Sequence, residues 1–251
     1  GAQNVAIGGN ALDANTTASN NTTVGYNSLG ANTTGANNSA FGKDALKANT
    51  TGVQNVAIGF ISMDSNTTSS GNVAVGAYTL QAQTDGTGQN VAVGDSSLYS
   101  NTSGSNNVAV GHRALNANTT ASNNTAVGDN ALTANTTGTH NTALGHEALD
   151  SNTSGISNTA IGQNALGANT TGQNNVAVGR STLAAATTAN SNTALGRQAM
   201  AATTTGGENV AVGYQAMDVN TTGTQNTAVG MHSLGQNTTG NQCVAIGRGT
   251  L

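Results

Sequence analysis

The sequence predicts an all-β fold, a parallel β-solenoid of about 15 coils with one repeat per coil. Three observations predict it. Glycine recurs every 17 residues from Gly8 to Gly247, with a single step of 18 between Gly76 and Gly94. A short stretch, mostly rich in β-branched residues, precedes these glycines, and an Asn-Thr-Thr or Asn-Thr-Ser triplet follows at 11 of the 14 turns. A fixed period of this length marks a repeat architecture. The array fills residues 1–251 as one tandem-repeat domain. It starts and stops within a repeat, which predicts a section of a longer chain.

The strand comes first in each coil. The residue before the glycine is aliphatic or Phe in all 15 copies, and the residue two before it is Ala except at Thr23. Such residues suit a short strand. Four before the glycine stands Asn, except where Cys243 replaces it in the last copy. Asn in register from coil to coil predicts amide ladders. The glycine itself predicts a backbone conformation or a close approach that a Cβ would forbid. Next, segments such as Ala131-Leu132-Thr133-Ala134 predict a second strand. Asn135-Thr136-Thr137-Gly138 and its equivalents predict a turn, with Thr hydroxyls bonding backbone. Gln83-Thr84-Asp85-Gly86-Thr87-Gly88 carries the extra residue and reads as a bulged turn. A helix is excluded, because glycine and the Asn/Thr cluster would interrupt it at every repeat. Coils stacked about 4.8 Å apart would give a rod of roughly 70 Å, each coil depending on its neighbours.

The variable positions are as informative. Fourteen of the 16 charged residues fall one, two or five places after the glycine, so these columns face solvent. The strand, by contrast, is apolar on both faces. A strand covered on one side alternates apolar with polar. This predicts that one face lines the coil and the other packs on a second chain.

Composition excludes several classes. Six Lys/Arg cannot build a strong phosphate-binding surface, so nucleic acid is not an expected partner. One cysteine permits no internal disulfide framework. No apolar run reaches the roughly 18 residues of a membrane span. No nucleophile elbow, phosphate loop, HExxH or CxxC pattern is present. The expectation is a protein that is not an enzyme, with no cofactor.

Asn55-Val56-Ala57-Ile58-Gly59, Asn72-Val73-Ala74-Val75-Gly76 and Asn209-Val210-Ala211-Val212-Gly213 resemble the head repeats of YadA-like trimeric autotransporter adhesins. The longer unit, Asn124 to Gly138, is similar to repeats in phage tail-fibre and bacterial surface proteins. The resemblance spans the whole chain. It implies a left-handed β-roll built from three chains, located outside the cell, on a cell surface or on a virion.

Candidate sites lie on the coil surface. Asp95, His112, Asp129 and His146 directly follow the glycine in four successive coils. They predict an outward ladder of acid and imidazole: a weak metal or pH-responsive candidate, or a row of solvated charge pairs. Tyr26, Phe60, Tyr78, Tyr99 and Tyr214 are the candidates for surface contacts. Sequons begin at Asn15, Asn32, Asn49, Asn66, Asn101, Asn118, Asn135, Asn152, Asn169, Asn220 and Asn237. They are either glycan acceptors or a by-product of the turn's preference for these residues. Cys243 is read as a small substitute in the Asn column or as an interchain bridge.

The expected function is mechanical and presentational: a stiff extracellular fibre segment whose variable columns contact a host-surface glycan or protein. A self-assembling filament is the alternative, its open edges pairing end to end. An ice-binding array is a third reading. The adjacent threonines of each turn oppose it, since neighbours on a strand point opposite ways.

Overall fold

The computed structural model describes residues 1–86 and 88–251. They form two compact units, Gly1–Asn124 and Thr125–Leu251. Both are parallel β-solenoids, and no helix occurs among the described residues. The first unit holds β1 (Val5–Ile7), β2 (Thr22–Val24), β3 (Ser39–Phe41), β4 (Val56–Ile58), β5 (Val73–Val75), β6 (Val91–Val93) and β7 (Val108–Val110). The second holds β8 (Thr125–Val127), β9 (Thr142–Leu144), β10 (Thr159–Ile161), β11 (Val176–Val178), β12 (Thr193–Leu195), β13 (Val210–Val212), β14 (Thr227–Val229) and β15 (Val244–Ile246).

Within each unit consecutive strands pair in parallel, in chain order. The register follows the repeat, Ala57 beside Ala74 and Ala160 beside Ala177. The 18-residue step leaves that register intact, for Ala74 still faces Ala92. The extra residue is therefore absorbed after the strand. The bulged turn expected there includes Thr87, which lies outside the described residues.

The central Ala of the strand points inward and is buried from Ala40 to Ala245. Its flanking residues point outward and are half-buried or exposed. Thr23, the exception in the Ala column, is buried with its hydroxyl satisfied. Its Oγ1 donates to the Ser28 Oγ at 2.6 Å and the Ser28 carbonyl at 3.0 Å.

The expected second strand does not form. The Ala-Leu segments are two successive tight turns. In one coil the Ala131 N–H donates to the Gly128 carbonyl at 3.3 Å, and the Asn135 N–H to the Leu132 carbonyl at 3.1 Å. Leu132 has φ of 53°, and Leu149, Met200 and Met217 share this left-handed conformation. The physical reason is burial. Ala131 and Leu132 are adjacent and both fully buried. A strand turns adjacent side chains to opposite faces, so only one of the two could point into the coil, whereas alternating right- and left-handed residues bury both. The conformation costs roughly 1–2 kcal/mol per residue. It is held by bonds to the next coil, Leu132 N–H to the Ala148 carbonyl at 3.0 Å and Ala134 N–H to the Asp150 carbonyl at 3.0 Å.

Two asparagine ladders flank this core. In the column before the strand, the Asn38 backbone N–H donates to Asn21 Oδ1 at 2.9 Å, and the Asn55 N–H to Asn38 Oδ1 at 3.0 Å. In the turn column, Asn49 Nδ2 donates to Asn32 Oδ1 at 2.8 Å, and Asn66 Nδ2 to Asn49 Oδ1 at 2.8 Å. The Gly52 carbonyl joins the ladders, accepting from Asn38 Nδ2 at 2.9 Å and Asn49 Nδ2 at 3.0 Å. At the 18-residue step the longer Gln83 stands in the turn ladder, and its Oε1 accepts from Asn101 Nδ2.

The turn ladder is interrupted at Ala186 and Thr203. One coil before the gap the Asn169 Oδ1 is buried without a hydrogen-bond partner, as is the Thr203 Oγ1 within it. Restoring both asparagines, Ala186→Asn with Thr203→Asn, supplies the missing donors. We expect a gain of about 1–2 kcal/mol, since a typical buried hydrogen bond contributes about 1 kcal/mol. Urea denaturation of the double variant checks this; unchanged or lower stability would show that the ladder is not additive here.

Candidate functional site

The solvent-facing columns are built by the same turns. Residues one and two places after the glycine sit at the corner between strand and first turn. The five aromatics expected on the surface are all exposed: Tyr26, Phe60, Tyr78, Tyr99 and Tyr214. The coil stacking brings some of them together. Phe60 and Tyr78 meet edge-on, ring centroids 5.4 Å apart, and Lys43 Nζ lies 5.5 Å from the Phe60 centroid. Tyr214 meets His232 edge-on at 5.5 Å, and the Arg197 guanidinium lies 5.6 Å from its centroid. Tyr26 lies over Gly9, the nearest ring carbon 3.4 Å from where a Cβ would stand. Among the described residues Tyr99 makes no ring contact.

The acid–imidazole column divides between the units. In the first, Asp95 and His112 are both exposed, and Asp95 Oδ2 accepts from Ser96 Oγ at 3.0 Å. In the second, His146 Nε2 lies 3.7 Å from Asp129 Oδ2. Glu147, which sequence reasoning did not place here, approaches the other ring nitrogen at 3.6 Å. The signal for it was present, since it follows His146 directly in the next solvent-facing column. Among the described residues no three His, Cys, Asp or Glu side chains converge as metal ligands. Exposed pairs of this kind contribute roughly 0–1 kcal/mol.

Beside this cluster, half-buried Asp150 has its pKa raised by burial first and by the Glu147 charge second. A raised folded pKa means the folded state holds the proton more tightly than the unfolded state. That contribution is full below the ordinary value of 3.8 and is lost as pH rises through the folded value. Asp150→Asn is therefore expected to stabilise the protein at neutral pH and to lose the advantage in acid. Thermal melts of both proteins across pH check this. An advantage that persists unchanged in acid contradicts it.

The sequon asparagines lie inside. Nine of the 11 are fully buried, and Asn15 and Asn237 are half-buried. The amide nitrogen that a glycan would occupy is a ladder donor, as at Asn152, where Nδ2 reaches Asn135 Oδ1 at 2.8 Å and the Gly155 carbonyl at 3.2 Å. This favours the turn as the reason for the triplet. The following Thr likewise serves the coil, Thr153 Oγ1 donating to the Thr170 carbonyl at 3.0 Å. A hydroxyl that has spent its only proton on backbone is a poorer template for ordered water. Cys243 is half-exposed and joins its column through the backbone, its N–H donating to Asn226 Oδ1 at 2.9 Å. A shallow polar depression of about 330 Å³ lies between Asn190, Glu208 and Thr224.

No protein-family model matches the chain, and no curated protein matches it.

Proposed function

We propose that the chain is a structural segment of an extracellular fibre, formed by several copies packed along the strands. Its variable columns serve attachment. The observation that carries this reading is the outer face of the sheet. The residue before each glycine is Val, Ile, Leu or Phe, and this column is half-buried or exposed in the single chain. Ile58 is 41% exposed, Leu144 46% and Leu195 48%. Aliphatic side chains repeated at every coil make a contiguous apolar stripe, and large exposed stripes mark association surfaces. The inner Ala of the same strand is buried, so both faces of the strand are spoken for if copies pack on the stripe. The ladders stiffen each coil against its neighbours, as a load-bearing element requires.

Light scattering on the cysteine-reduced chain tests the reading. The expected result is a discrete mass of three chains. Leu195→Lys with Leu144→Lys should shift that mass towards one chain while the far-ultraviolet spectrum stays unchanged. A folded monomer in the wild type would overturn the proposal, and open-ended growth would make the filament itself the function.

A further inference from the structure

We propose that the second unit carries a binding strip for an acidic polysaccharide, formed by Arg180, Arg197, Tyr214 and Arg248. This rests on the attachment role above and names its ligand class.

Three of the chain's four arginines stand in one column, directly after Gly179, Gly196 and Gly247. Tyr214 and Met231 fill the same position in the two coils between. All three arginines are exposed, and among the described residues none forms an ion pair with a carboxylate. Arg180 and Arg197 occupy neighbouring coils, about 4.8 Å apart at the backbone. Like charges placed side by side on paired strands are unfavourable. Lys43, by contrast, is answered by Asp44, with 3.7 Å between the charged atoms. Arg180 and Arg197 have no such answer, so the anion that would neutralise them must come from outside.

The arrangement describes that anion. The strip is linear and spans four coil steps, roughly 19 Å from Arg180 to Arg248, which suits an extended polymer. The guanidinium fork matches carboxylate and sulfate in bidentate fashion. Tyr214 presents an amphipathic ring beside them, held between the Arg197 guanidinium and the His232 edge. Such a ring can stack on the apolar face of a sugar. Gln198 and Gln215 border the strip, Gln215 Nε2 donating to Gln198 Oε1 at 3.4 Å, and offer amide groups for hydroxyls. Nucleic acid fits less well. Single-stranded nucleic acid stacks successive bases on a row of aromatic rings, whereas the strip has one ring of its own, Tyr214.

Binding of a heparin hexasaccharide to the full chain, with neutral dextran and a single-stranded DNA oligomer as comparators, tests the strip. The wild type should bind heparin at low salt, lose affinity as salt rises, and ignore dextran. Arg180→Gln with Arg197→Gln should weaken binding at least tenfold. Arg180→Lys with Arg197→Lys should restore only part of it, because charge returns without the fork. Tyr214→Ala should weaken it several-fold. Lys43→Gln with Lys47→Gln, in the first unit, should leave it unchanged. No heparin binding by the wild type, an equal loss in the lysine variant, or DNA binding as tight as heparin would each overturn the proposal. Light scattering of the same samples separates the two readings. Sugar binding can fail with the three-chain mass intact, and the mass can be wrong with sugar binding intact.

Discussion

Gly59→Ala is expected to destabilise the first unit by at least about 3 kcal/mol, although it adds one methyl group. Gly59 has φ of +140°, and a Cβ built there lies 2.2 Å from the carbonyl oxygen of Gly76. Forcing a side chain into such a backbone region costs roughly 1–3 kcal/mol by itself. The clash adds to that, and it cannot be relieved by a rotamer change, because both partners are backbone. Moving the strand end away would strain the bond from the Gly76 N–H to the Ile58 carbonyl, 2.8 Å long, and with it the contact between coils. Each coil's stability depends on its neighbours, so the loss spreads along the unit. Gly9→Ala is the control. Its Cβ would meet only the Tyr26 ring, at ordinary contact distance, and a change within about 0.5 kcal/mol is expected, as for most surface substitutions. Urea denaturation of the two variants decides the matter. If Gly59→Ala is as stable as Gly9→Ala, the glycine column is not required by the backbone.

That column was legible in the sequence because its cause is local and repeats. So were the strand, the Asn columns and the parallel register: a period of 17 forces like residues together whatever path the chain takes between them. The path itself was less legible. Leu at Leu132 and its equivalents carries no propensity for a left-handed backbone, so segments such as Ala131-Leu132-Thr133-Ala134 read as a strand. The overlooked signal was adjacency. Two neighbouring apolar residues kept through the repeats cannot share one face of a strand. The surface behaved similarly. Charges in the variable columns announced their exposure, but partners were legible only along a column. Glu147 reaches His146 from the neighbouring column and was missed. Arg180, Arg197 and Arg248 each directly follow a repeat glycine, so their shared column is legible in the period itself. The sequons left two readings open for a further reason. Asn-Thr-Thr is both a glycan acceptor and a turn, and the sequence does not say which way the amide points.

Asn158→Leu, which keeps the branching of the side chain, should cost about 1–3 kcal/mol, and Asn158→Asp should show a cost that depends on pH. Asn158 is fully buried and uses its whole amide. Its Nδ2 donates to the Gly172 carbonyl at 2.8 Å and to Asn141 Oδ1 at 3.2 Å. Its Oδ1 accepts from the Asn175 backbone N–H at 3.1 Å and from Asn175 Nδ2 at 3.1 Å. Leu at this position orphans the Asn175 N–H and leaves the Gly172 carbonyl with Asn169 Nδ2 alone, at 3.2 Å; a buried unsatisfied group costs roughly 1–3 kcal/mol. Asp keeps the acceptor for Asn175 but places an oxygen against the Gly172 carbonyl, where only a protonated carboxyl can donate. Burial and that carbonyl both favour the neutral acid, so the folded pKa is raised above the ordinary aspartate value of about 3.9. By linkage the Asp variant approaches wild-type stability below that value and loses stability as pH rises through the folded pKa. Urea midpoints for wild type, Asn158→Leu and Asn158→Asp, compared in acid and at neutral pH, separate the terms. The Leu deficit should be the same at both, whereas the Asp deficit should be small in acid and large at neutral pH. An Asp deficit independent of pH would mean that the amide proton facing Gly172 is not what the ladder requires, and that shape alone holds the asparagine column in place.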